Sequence, residues 1–157
     1  MKKIKIFLTI LLIPAILLLL FLFSCGKENG GKTIKFDTIS KGLYSQQVGK
    51  EYFVIKDTES FNQLLAIIAN GNSVITNKDV DFSEEIVVGV FLGEKPTGGY
   101  SIEITDVLKQ NDFIEFLIKI DEPDPGQMVT EAITSPYHII KLKRYDMEFL
   151  FNIVEQE

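Results

Sequence analysis

The run "EEIVVGVFLG", residues Glu84–Gly93, decides the fold. From Ile86 to Leu92 it contains no polar side chain, and a continuous apolar run of that length marks a β-strand buried on both faces. Downstream the pattern has a period of two. "YSIEITDV" (100–107) alternates through Tyr100, Ile102 and Ile104. "DFIEFLIKI" (112–120) places Ile114, Phe116, Ile118 and Ile120 on one side and Glu115 and Lys119 on the other. "YHIIKLKR" (137–144) and "EFLFNIV" (148–154) complete the strands on this side.

Upstream, "TIKFDTISKGLYS" (33–45) and "KEYFVIKD" (50–57) read as strands separated by "QQVG". They precede the one helical pattern. In "DTESFNQLLAIIANGN" (57–72), Phe61, Leu64, Leu65 and Ile68 recur at i, i+3, i+4 and i+7, one face of a 3.6-residue period. Asp57 or Thr58 can cap its start, and Asn70-Gly71 supplies a left-handed stop. Strand, helix and then a series of strands predict an α+β fold. Its expected form is a mainly antiparallel sheet or small sandwich with one packed helix over about 57–70. Periodicity specifies the strands, not their order.

The first 24 residues read as an export signal. Lys2, Lys3 and Lys5 precede an apolar run from Ile6 to Phe23, followed by Ser24-Cys25-Gly26. "LFSC" resembles a bacterial lipobox, which implies that Cys25 becomes the lipidated first residue of the mature protein. The alternative is an uncleaved membrane span, since the run approaches the roughly 20 residues a span needs. Either reading tethers the chain outside the cytoplasm. Residues 25–33, glycine-rich and polar, are expected to form a flexible tether, and residues 34–157 a single domain.

Without Lys2, Lys3 and Lys5, 13 Lys and Arg face 22 Asp and Glu, a net charge of −9. An acidic body without a basic stripe in its sequence argues against nucleic acid and against electrostatic docking on anionic lipid. The one cysteine sits at the lipobox, so the domain is expected to hold together by its core, without a disulfide.

The residue types that carry catalysis are sparse. His138 is the only histidine, and Ser135 lies three residues before it, where strand spacing sends side chains to opposite faces. A partly exposed strand histidine is the expectation. One histidine and no spare cysteine cannot build a zinc site. "DEPDPGQM" (121–128) lacks the alternate-position ligands of a calcium loop and reads as a solvated turn. No catalytic residue, metal or cofactor is expected.

"GEKPTGGY" (93–100) has the glycine spacing of a phosphate loop, but Gly99 stands where the phosphate-binding lysine belongs, and a strand follows instead of a helix. It reads as a hairpin-like connection stiffened by Pro96. Tyr100 is either the first inward residue of its strand or an aromatic anchor.

These residues resemble a known family. The Asp81-Phe82 pair, the apolar strand Ile86–Leu92, Gly93 to Tyr100 with its Thr-Gly-Gly-Tyr end, the Pro123–Gly126 turn and Thr134–Tyr137 together resemble the C-terminal domain of PrcB-type proteins. The resemblance runs from about Asp81 to Lys143. It implies an extracytoplasmic accessory domain of a kind found in a surface protease complex and in stand-alone bacterial lipoproteins. "KPTGGY" is also similar to the Pro-Thr-Thr-Gly-Tyr loop of chagasin-type inhibitors of cysteine proteases. "SPYH" can be likened to their Arg-Pro-Trp loop, with Ser135 and Tyr137 replacing the arginine and the tryptophan.

The expected function is a lipid-anchored, non-enzymatic protein-binding domain in the cell envelope. Its expected partner is another envelope or secreted protein, a protease being the first candidate. The expected surface is the loop pair Lys95, Pro96, Thr97, Gly98, Gly99, Tyr100 and Thr134, Ser135, Pro136, Tyr137, His138, with Tyr100 or Tyr137 as apolar anchor. A chagasin-like inhibitor and a structural envelope lipoprotein are the alternatives.

Overall fold

The computed structural model describes residues 31–68 and 79–154. The expected signal, Cys25 and the helix stop at Asn70-Gly71 lie outside the described residues. In chain order the elements are β1 (Lys32–Thr33), β2 (Phe36–Gly42), β3 (Glu51–Ile55), α1 (Thr58–Ile68), β4 (Glu85–Phe91), β5 (Ser101–Lys109), β6 (Phe113–Asp121), β7 (Tyr137–Lys143) and β8 (Glu148–Val154). They form two four-stranded sheets, β1-β5-β6-β8 and β2-β7-β4-β3. Every pairing is antiparallel except β6 with β8, which is parallel. Among the described residues the fold is mainly β with one helix, as the periodicities predict.

The arrangement has three layers, and β4 explains why. Ile86, Val88 and Val90 point into a core shared with Ile102, Ile104 and Val107 of β5, Ile114, Phe116 and Ile118 of β6, and Ile140 and Leu142 of β7. The alternate residues Val87 and Phe91 point the other way, into a second core with Tyr137, Ile139 and the helix residues Phe61, Leu64 and Ile68. One face of the central sheet packs on the other sheet, and the opposite face packs on α1. Full burial of each such side chain contributes about 1.5–3 kcal/mol.

The helix begins where the sequence says it can. Asp57 is the cap: Ser60 N–H donates to Asp57 Oδ1 at 2.8 Å and Ser60 Oγ donates to Oδ2 at 2.8 Å. Those two bonds hold the Asp57 carboxyl below its ordinary range. The Asp81-Phe82 pair has a comparable job before β4. Asp81 Oδ1 accepts from Ser83 N–H and Ser83 Oγ at 2.9 and 2.6 Å, and the Phe82 ring packs edge-on against Phe61 with centroids 5.8 Å apart.

Three connections differ from the expectation. "TIKFDTISKGLYS" is two strands in two sheets, β1 and β2, because the chain crosses from one layer to the other at Ile34-Lys35. Strand pairing begins at Lys32, within the stretch expected to be tether. The 93–100 connection is no hairpin. Both edges of β4 are already occupied, by β3 and β7, so the chain leaves β4 for the other sheet and β5 pairs with β6.

One buried polar group stands out. Tyr52 of β3 packs its ring against Phe151 of β8, centroids 5.0 Å apart, and its hydroxyl is buried with no hydrogen-bond partner among the described residues. A buried unpaired hydroxyl costs roughly 1–3 kcal/mol. Tyr52→Phe, which keeps the ring and removes that oxygen, is expected to raise the unfolding free energy by about 1 kcal/mol. Denaturant titration at neutral pH measures this; a loss of stability would show that the hydroxyl is satisfied.

Candidate functional site

The two expected loop segments do lie together. Lys95 and Thr134 form an isolated antiparallel bridge: Lys95 N–H donates to Thr134 O at 2.7 Å, and Thr134 N–H donates to Lys95 O at 3.0 Å. Thr134 Oγ1 donates to Thr97 O at 2.8 Å, and Gly98 N–H to Thr130 O at 2.9 Å. A third segment, absent from the sequence reading, joins them. The 43–50 connection after β2 receives Ser135 N–H on Leu43 O at 2.8 Å and Glu94 N–H on Val48 O at 2.9 Å. Ser135 Oγ donates to Gln47 O at 2.7 Å, and Ser45 Oγ lies 2.7 Å from Ser135 Oγ. Three loops are thus laced into one rigid end of the sandwich.

Within this end, the two halves of the expected surface play different parts. Pro96 and Gly99 are exposed, and Lys95, Thr97 and Tyr100 are half-buried. Lys95 Nζ sits 5.2 Å from the centroid of the Tyr100 ring, a geometry that favours a cation over the ring face. Gly98 is buried beneath them. Thr134, Ser135, Pro136, Tyr137 and His138 are all buried and present no surface to a partner. Tyr137 is 1% exposed, stacks on Phe91 with centroids 5.7 Å apart, and its hydroxyl meets Ser40 Oγ at 3.0 Å. It is a core residue, so the expectation of Tyr137 as an anchor is corrected. Tyr137 points to the helix side of the sheet, a direction set by the register of β7 and not visible from the tripeptide Ser-Pro-Tyr.

His138 also departs from the expectation of a partly exposed strand histidine. It is 2% exposed and faces the layer between the sheets. Its Nδ1 accepts Ile104 N–H at 3.0 Å, and its Nε2 lies 2.9 Å from Thr38 Oγ1. An amide can only donate, so Nδ1 is unprotonated and the ring proton sits on Nε2, donated to Thr38. The physical reason lies in β5: β1 pairs only with Leu108 and Lys109, leaving the Ile104 end of that edge without a strand. His138 supplies the acceptor there and ties one sheet to the other. Ser135 Oγ is engaged with Gln47 O and Ser45 Oγ and is not paired with His138.

Sequence reasoning missed the apolar residues of this end. Leu43, Tyr44 and Val48 in the first loop, and Met128 and Ile133 in the 122–136 connection, are exposed. They account for five of the seven large apolar side chains that are exposed among the described residues. For Val48, Met128 and Ile133 the available signal was their position outside any periodic strand, whereas Leu43 and Tyr44 stood within the 33–45 stretch read as a strand. The acidic 121–126 stretch forms the outer turn of the third loop, closed by Gln127 N–H on Asp124 O at 3.0 Å.

Two glycines shape the 93–100 loop. Gly93 has φ +78°, and a β-carbon there would meet Val48 O at 2.6 Å; Gly99 has φ +89°, with Pro123 and Val129 side chains 3.0 Å from the same position. Gly93→Ala is therefore expected to lose at least roughly 1–2 kcal/mol from the left-handed backbone alone, measured by denaturant titration. A neutral effect would show that the 43–50 loop yields freely.

A second prediction concerns His138, whose pKa burial pushes down to about 4, with Lys41 adding to the depression and Glu103 opposing it. Above the ordinary value of 6.5 both folded and unfolded chains carry a neutral ring, and the stabilisation is fully present. Between pH 6.5 and 4 the unfolded chain takes up a proton that the folded chain refuses, so stability falls with pH by a total of about 3 kcal/mol. Glu103, held below its ordinary 4.5 first by Lys41, contributes its own loss only near and below that pH. His138→Gln should lower stability at neutral pH and flatten the profile between pH 6.5 and 4.5; an unchanged slope would place the titration elsewhere.

The comparisons with known proteins agree with the motif order. The family model described as PrcB C-terminal matches residues 86–143, from β4 through the laced loops to the end of β7, leaving Asp81-Phe82 just ahead of the match. Searches of the curated proteins and of the solved structures returned no match. The stretch 86–143, which contains two of the three laced loops, is therefore similar to the PrcB C-terminal domain.

Proposed function

We propose that the chain is a lipid-anchored extracytoplasmic protein whose domain acts by binding another protein through its laced loop end. The observation that carries this reading is the concentration of exposed apolar side chains there. Val48 is 67%, Ile133 66% and Met128 97% exposed, on loops whose backbones are bonded to one another. Exposed apolar groups scattered singly need no explanation, but gathered at one end they mark an interaction surface. Loops already fixed by internal hydrogen bonds lose little freedom on docking, which favours affinity.

The match of residues 86–143 to the PrcB C-terminal model bears on this reading only through the accessory role that the resemblance implies. The anchor reading rests on the lipobox at Cys25 and on the apolar run before it. The partner class we favour is a secreted or surface protease with an apolar docking face, the domain serving as an accessory subunit. The cysteine-protease inhibitor reading has less support. It relies on the "KPTGGY" tip, and the second loop it requires, Ser135–His138, is buried.

The test is a cross-linked capture from native envelopes with the full-length wild type and with Val48→Ser/Ile133→Ser, followed by affinity measurement with the purified partner. Both side chains are exposed, so the stability change should stay within about 0.5 kcal/mol per site. Binding is expected to weaken by about 2 kcal/mol or more, roughly 30-fold, if these residues form the centre of the interface. Undiminished binding by the folded variant would remove the loop end from the proposal.

A further inference from the structure

At the far end of β7 from these loops, the fold gathers a charge that the sequence disperses. A cavity of about 350 Å³ is surrounded by Lys32, Lys35, Lys109 and Lys143, and no acidic side chain lines it. Tyr145 forms part of its wall, with Lys109 Nζ 5.4 Å from the ring centroid. The four lysines come from the start of the fold, the last residue of β5 and the last residue of β7. Lys32 and Lys109 stand directly opposite each other in the β1–β5 register, an arrangement of like charges that destabilises a sheet unless a counter-charge sits beside it. Among the described residues none of the four forms an ion pair, whereas Lys41, Lys119 and Lys141 each have a carboxylate. In a chain this acidic, four lysines around one hollow, none with a carboxylate partner among the described residues, suit an anion.

We propose that this lysine pocket docks the domain on the anionic phospholipid headgroups of the membrane that carries its anchor. The proposal rests on the lipoprotein reading above. Gly31 is the sixth residue after Cys25, a span of at most about 21 Å, so the pocket is held close to the surface in which a lipid on Cys25 would insert. Headgroup phosphate oxygens accept from several ammonium groups at once. The rest of the body, acidic overall, is repelled by the same surface, so the pocket is the side that faces it. β7 runs from Tyr137, beside the laced loops, to Lys143, at the pocket. Docking through the pocket turns the loop end away from the membrane, where a partner can reach it.

The experiment uses full-length protein processed in a bacterial host, purified from membranes and reconstituted into two sets of vesicles. One set is phosphatidylcholine alone and the other includes phosphatidylglycerol. Lysine acylation is then read residue by residue by mass spectrometry, with Lys50 and Lys119 as internal references. A lysine close to an anionic leaflet favours the docked state about fivefold, so Lys32, Lys35, Lys109 and Lys143 should react at least about threefold more slowly in the phosphatidylglycerol vesicles. The protection should vanish when salt shortens the Debye length from about 8 Å to about 3 Å. In Lys32→Glu/Lys109→Glu, Lys35 and Lys143 should lose it too. Equal labelling in the two vesicle sets, with the protein floating in both, overturns the docking and leaves the anchor standing. Protection reproduced by inorganic phosphate on phosphatidylcholine vesicles assigns the pocket to a soluble anion and also overturns it. Protein that floats with neither set defeats the anchor reading and takes the docking with it.

Discussion

The structure depends on one constraint: β4 and β7 carry apolar side chains on both faces. A strand of that kind cannot lie on a surface, because either face left in water would expose several large aliphatic groups. The central sheet therefore has to be covered twice, by β5 and β6 on one side and by α1 on the other. Edge strands follow from the same demand. Both flanks of β4 are taken by β3 and β7, so the chain leaving Phe91 cannot pair back on β4, and it crosses to the next layer.

That crossing is what brings the laced loops together. The connection from β4 to β5 and the return from β6 to β7 both change sheets at the same end, and the β2–β3 connection passes over them. Each carries backbone groups that no strand can satisfy, and they satisfy one another through Lys95–Thr134, Gly98–Thr130, Leu43–Ser135 and Val48–Glu94. His138 belongs to the same economy of unsatisfied groups. The Ile104 N–H lies on an edge of β5 that β1 is too short to reach, and the neutral imidazole is the acceptor that closes the seam. The polar residues Thr134, Ser135 and His138 are buried because they complete the backbone, and the surface they frame is made by their apolar neighbours.

The elements were legible in the sequence to a useful degree. The i, i+3, i+4, i+7 pattern of Phe61, Leu64, Leu65 and Ile68 located α1, and the alternation Ile114–Ile120 gave both the extent of β6 and its inward face, since these periods follow directly from local geometry. The motif series from Ile86 to Lys143 was sufficient to find the stretch that matches the PrcB C-terminal model. The site was legible only in outline. Pro96 and Gly99 stand exposed in the loop where they were expected, while Tyr137 and His138, chosen as neighbours of a turn, turned out to be interior. A strand residue's face depends on the register of its pairing, and "SPYH" contains no information about Phe91, Ser40 or the edge of β5.

By itself, then, the sequence determined most of the elements, the doubly buried strand and the capped helix start, because each rests on interactions among residues near in the chain. Only the tertiary structure decided the sheet order, the parallel β6–β8 pair, the inter-sheet path of the 93–100 loop and the burial of His138. It also brought Lys32, Lys35, Lys109 and Lys143, spread over more than a hundred residues in an acidic chain, to one hollow. Those outcomes depend on which strand edges are already occupied and on where strands end in space, and a one-dimensional pattern of charge and hydropathy carries neither.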